Sequence, residues 1–214
     1  MDELELLKKD WKKDDTLKYP KLSYNEIYTM ILRKSSSIVK WIFIISILEF
    51  VFWTFIAFAF KGSKSLKEFE KFDSDFVIIP LTIAGYIVLA YFFYLFYRNY
   101  RNISVTDNAK VLMENILKTR RTVRQYVAFN LVYLVIATFA GIYIQFDQNP
   151  AVINRAEMAS ANGEAFMFYA KLFLMTSAVL LIIIGILLLF YWLIYGILLK
   201  RLNRNYKELR KLEV

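Results

Sequence analysis

The chain has no cysteine and no histidine among its 214 residues. Without cysteine there are no disulfides and no thiolate nucleophiles, and without histidine there are no His-containing triads, imidazole metal ligands or haem ligation. Any catalysis would fall to carboxylates, lysines or tyrosines. Catalytic patterns are missing as well: no paired aspartates inside an apolar run, no G-x-S-x-G, no P-loop, no acid-rich metal motif and no Gly-rich phosphate cradle. The sequence therefore calls for no cofactor and no metal, and an enzyme is not the expectation.

What is abundant is apolar. The hydrophobic fraction is 58%, above the roughly 45–50% of soluble domains, and the excess lies in four blocks. The first, Ile38 to Phe60, reads IVKWIFIISILEFVFWTFIAFAF and carries only Lys40 and Glu49 as charges. A hydrocarbon core about 30 Å thick needs roughly 20 apolar residues in a helix. Spans are thus predicted over 38–60, 76–97, 126–146 and 166–199. The last is broken only by Lys171 and is too long for one perpendicular crossing, so it tilts or projects beyond the bilayer. The fold class is all-α: an integral membrane protein with a bundle of four transmembrane helices, neighbours antiparallel, and helical extensions past the bilayer.

Both signs of charge crowd residues 1–37, and the first apolar run is too long for a signal-peptide core, so a retained anchor is expected. Residues 1–15 pattern as a short amphipathic helix with Leu4, Leu7 and Trp11 on one stripe. Residues 14–22 form a linker. Ser23 and Glu26 make a capping-box pattern that opens a helix running into the first span, which Ser35, Ser36 and Ser37 could bend. The 61–75 connector alternates four lysines with four acids and has room for one helical turn. A cytoplasmic helix is expected over 104–124, with Thr106 and Asp107 as candidate caps. The 147–164 loop opens with Asn149-Pro150 and closes with Asn162-Gly163, leaving space for one short helix between turns. Ala137 and Gly141 have the spacing that lets helices approach closely.

Lys plus Arg counts are eight before the first span, then four, seven, one and six in the successive polar segments. Rich segments alternate with poor ones, so the positive-inside rule places the N-terminus, the 98–125 segment and the tail in the cytoplasm, an N-in/C-in topology. The net charge of +9 belongs mostly to that face. Lys118, Arg120, Arg121 and Arg124, with Lys200, Arg201 and Arg204, are expected to contact anionic lipid. Nucleic acid is not expected, because the excess tracks span boundaries and matches no binding motif. The expected location is the inner, cytoplasmic membrane of a bacterial cell, crossed several times.

Glu49 stands out among candidate site residues. A carboxylate near the middle of a span costs a few kcal/mol, so it should face the bundle or water. Counted from each helix's own boundary, Tyr86 and Thr138 lie at its depth and are the expected hydrogen-bond partners. Lys40 and Lys171 read as snorkelling anchors, and Asn130 as an interhelical hydrogen bond. Tyr91, Tyr94, Tyr97 and Tyr100 read as an interfacial belt.

A short N-terminal helix of the ELELLKKDWKK kind, then KSSSIVKWIFIISILEF, then SVTDNAKVLMENILKTRRTVRQY resembles small uncharacterised bacterial four-helix inner-membrane proteins. The resemblance covers most of the chain and implies a membrane bundle without implying an activity. A short helix before a membrane anchor is also similar to membrane-bound anti-sigma regulators, whose zinc-binding His and Cys set is absent here. The expected function is a non-catalytic accessory or regulatory membrane protein whose cytoplasmic helices bind a partner protein through Leu4, Leu7 and Trp11. The alternative is a small transporter or channel component with Glu49 as a cation or proton site. That reading calls for a homo-oligomer, since four helices offer little room for a pathway.

Overall fold

Ser23 opens the first helix with a reciprocal cap: its hydroxyl accepts from the Glu26 amide at 3.3 Å, while its own amide donates to the Glu26 carboxylate at 2.7 Å. From there α1, Tyr24–Phe60, runs 37 residues without a break, the three serines included. The computed structural model describes residues 23–69, 71–106 and 108–212. The expected helix over 1–15, with Leu4, Leu7 and Trp11, lies outside the described residues, as do the 14–22 linker and Asp107.

A single short helix, α2 (Lys64–Phe69), fills the first connector. Then α3 covers Asp75–Ser104, α4 Ala109–Gln148, α5 Pro150–Ala161 and α6 Ala165–Tyr191. A π-helical turn, Trp192–Gly196, joins α6 to α7 (Ile197–Leu212). All regular structure among the described residues is helical, and four helical rods are long and apolar enough to cross a membrane. Pro80 lies inside α3, five residues past its first residue Asp75, so the helix begins before the proline and goes without the hydrogen bond that an N–H at position 80 would make. Asn108 rather than Thr106 caps α4, its side chain accepting from the Lys110 amide at 2.8 Å. The helix expected over 104–124 is therefore the first part of α4 and continues into the third apolar block without a break. Asn149 caps α5 ahead of Pro150, and Gly163 takes the loop back through φ +74°, the left-handed region that glycine enters at low cost.

The rods pack mainly at the end that carries the basic segments, called here the basic end. There Ile31, Val39, Ile103, Leu112, Ile116, Leu202 and Leu209 form one buried cluster. Above it, Ile42, Phe92, Phe96, Val123, Tyr126, Tyr191 and Tyr195 form a second. Toward the opposite end the apolar surface turns outward: the most apolar windows of the four rods are 17, 11, 6 and 0% buried within the protein. The chain covers little of this surface itself, as expected of helices whose apolar faces meet lipid or another helix. Gly141 makes no close approach within the chain, since a Cβ there would meet open space. The tight contact is elsewhere: a Cβ on Gly85 would lie 2.8 Å from the Tyr133 ring, whose hydroxyl donates to the Leu81 carbonyl at 3.2 Å.

Candidate functional site

On α1 the buried positions are Ile31, Ser35, Val39, Ile42, Ser46 and Glu49, recurring every three or four residues. That spacing is one helix face, so Glu49 is directed into the bundle by the same stripe that packs the rest of α1. The stripes of α4 and of the α6–α7 rod bring tyrosines to the same level. Tyr126 and Tyr195 each donate to Glu49 Oε2 at 3.0 Å, and Tyr191 donates to Oε1 at 2.6 Å. A carboxylate is an acceptor with about four lone-pair sites. Three of them are filled here by phenols from two other rods, and Glu49 is only 6% exposed.

The donors are themselves fixed by packing. Phe92 and Phe96 on α3 meet the Tyr126 ring edge-on at 5.6 and 5.4 Å between centroids. The Tyr195 ring meets Tyr126 edge-on at 6.1 Å between centroids and lies tilted against Tyr191 at 6.0 Å. Asn130, one turn above Tyr126, places its side chain against the hydroxyls of Tyr126 and Tyr191. The π turn begins at Trp192 and contains Tyr195. Such a turn bonds i to i+5 and widens the helix locally, and here it lies at the point where two tyrosines four residues apart must both reach one carboxylate.

Below this clasp, toward the basic end, the rods are joined by further polar pairs. Asn99 donates to Thr122 at 3.1 Å and Asn205 donates to Ser35 at 3.0 Å, all four side chains being buried. Arg120 donates to Asn203 at 2.9 Å. Among the described residues no buried side-chain polar atom lacks a partner, and no group of three acidic side chains gathers where a metal could sit.

Two expected partners of Glu49 are elsewhere. Tyr86 is exposed, its ring edge-on to Phe50 at 6.1 Å, and Thr138 donates to the Leu134 carbonyl on its own helix at 2.8 Å. Depth counted from each helix's own end fails because the ends are not level. Glu49 lies roughly 16 Å from the end of α1 at Phe60, while Tyr126 lies roughly 33 Å from the end of α4 at Gln148, at 1.5 Å per residue. The carboxylate therefore sits nearer the basic end than a count on α1 alone implies. The signal that could have found the donors is spacing: Tyr191 and Tyr195, and likewise Tyr126 and Asn130, stand four apart within apolar sequence, polar tips on one helix face.

Lys171 is exposed and lines an apolar groove of about 490 Å³ with Thr138, Met175 and Ile183, far from Glu49. Lys40, Lys118, Arg121, Arg124, Lys200, Arg201 and Arg204 are exposed at the basic end and Arg120 is half-buried. Tyr91, Tyr94 and Tyr97 face outward, whereas Tyr100 packs against the basic-end core.

No curated protein and no solved structure matches the chain. One family model does, described as a domain of unknown function (DUF8845), over residues 25–214, which takes in every helix described above. The chain belongs to that DUF8845 family.

Proposed function

We propose that the chain is a non-catalytic accessory or regulatory protein of a bacterial inner membrane, crossing it four times with both termini in the cytoplasm and binding a partner protein there. The observation that supports this reading most is the state of Glu49: both carboxylate oxygens are taken by protein donors from two other rods. A carboxyl held this way locks helices together. Each interhelical hydrogen bond contributes about 0.6–1.7 kcal/mol in a membrane. Below the lock the rods continue past their apolar stretches into a packed helical platform, cored by Ile103, Leu112, Leu202 and Leu209. The contact stripe of this reading is Leu4, Leu7 and Trp11, which precede α1 in the chain.

The test is crosslinking in native membranes with the full chain and with a chain lacking residues 1–15. A discrete partner adduct that disappears with the deletion is expected. Retention of every co-purifying protein by the shortened chain would sink the docking role.

The second reading, a cation or proton site at Glu49, draws on one observation: the π turn that carries Tyr195. π turns recur at functional sites, and a carboxyl among phenols beside one could exchange a proton. It is distinguished by a flux that depends on Glu49.

A further inference from the structure

We propose that the groove between α1 and α7 at the basic end binds the phosphate headgroup of an anionic phospholipid. This inference rests on the membrane placement proposed above.

The seam between these two helices buries Ile31, Ser35 and Val39 of α1 against Leu202, Asn205 and Leu209 of α7. On one flank of that seam the neighbouring positions are basic from both sides. Arg33 and Lys34 face Arg201 and Arg204 across a groove of about 450 Å³. The backing is polar and ordered, since Asn205 is held by its bond to Ser35 at 3.0 Å.

Four like charges around one groove repel one another, and among the described residues little offsets that. The one salt bridge among the described residues joins Arg204 to Glu208 at 3.8 Å, between exposed side chains, and such a pair contributes little. Guanidinium groups present flat forks that fit phosphate oxygens two at a time. The groove's chemistry is therefore that of a phosphate site.

Its position selects a lipid as the source. Ser37 and Ile38 line the upper part of the groove, and Ile38 is the first residue of the apolar run that forms the first candidate span. Cations below and apolar sequence above describe the boundary between headgroups and acyl chains, where a free anion would leave the apolar side unused.

The experiment uses the full chain purified in mild detergent with added phosphatidylglycerol or phosphatidylcholine, read by native mass spectrometry. Wild type is expected to retain phosphatidylglycerol and not phosphatidylcholine. Arg33→Gln with Arg201→Gln should lower that occupancy about thirty-fold, from two surface attractions lost, whereas Arg33→Lys with Arg201→Lys, which keeps the charges and loses the forks, should lower it less than the glutamine pair does. Arg98→Gln with Arg101→Gln removes the same charge elsewhere at the basic end, from two exposed positions on α3, and should leave the lipid in place. Equal loss in that control pair would reduce the effect to general attraction and overturn the groove. So would displacement by millimolar inorganic phosphate, which marks a free-anion site, or a wild type that keeps no lipid but binds a polyglutamate peptide through the same four residues. Failure of the wild type to enter phosphatidylglycerol vesicles at all would overturn the membrane placement as well.

Discussion

Tyr191 donates to Glu49 at 2.6 Å, closing a contact between residues 142 positions apart. Through it the last rod is tied to the first at the level where Tyr126 ties in α4. A polar contact of this kind specifies register as well as strength, because sliding either rod by one turn would break at least one of the three bonds to the carboxylate.

Removing the acceptor should cost more than removing a donor. Glu49→Leu leaves three phenols to find new partners, at about 1–3 kcal/mol for each one left unsatisfied, whereas Tyr191→Phe removes one bond at about 0.6–1.7 kcal/mol. Denaturant titration in micelles should rank Glu49→Leu well below Tyr191→Phe in stability. Because the three bonds share one carboxylate, Tyr126→Phe and Tyr191→Phe should combine non-additively, and strict additivity would show that the hydroxyls act independently.

Gly85 and Tyr133 give a second, separate forecast. A methyl group on Gly85 must displace the end of the Tyr133 ring, 2.8 Å away, and with it the bond to the Leu81 carbonyl. Gly85→Ala should therefore destabilise the α3–α4 contact by about 1–3 kcal/mol, and Tyr133→Ala in the same chain should remove most of the added penalty. Thermal unfolding in detergent measures both. A neutral Gly85→Ala would mean that the ring moves aside freely.

The first turn of α1 should respond to acid. The Ser23 amide, then the Ser23 hydroxyl, donates to the exposed Glu26 carboxylate and holds it below its ordinary value of 4.5. A group lowered on folding stabilises the folded form above its unfolded value and loses that contribution as pH falls through the folded one. Protection factors of the first-turn amides should accordingly decline below about pH 4.5, while Glu26→Gln should show lower protection with no such pH dependence.

Asn205 and Ser35 test the polar seam nearer the basic end. Ser35→Ala removes one buried acceptor for the Asn205 amide, at about 1 kcal/mol. Asn205→Ala also opens a cavity in the α1–α7 seam and should cost more. Proteolysis rates of the tail helix report the difference; equal rates would show that the seam does not hold α7.

Much of this architecture is written in local sequence. Four apolar runs mark the rods, Ser23 with Glu26 marks a helix start, and Asn149-Pro150 with Asn162-Gly163 brackets α5, because caps and breakers act within a few residues. Glu49 is legible for the same reason, as a lone acid in an apolar run. Its partners are not, since they depend on how far each rod is shifted along its neighbours. That offset comes from packing of Phe92, Phe96 and Tyr126, not from where each apolar run stops. The Ala137 and Gly141 spacing permits a close approach, but only a facing helix makes one, and within the chain the glycine in close contact is Gly85.

The most direct measurement of the central claim, that Glu49 locks the bundle and does not conduct, is proton and cation flux in proteoliposomes of the wild type and of Glu49→Gln. The account predicts protein-free background for both, with Glu49→Gln less stable in the same vesicles. A wild-type flux abolished by Glu49→Gln would contradict it.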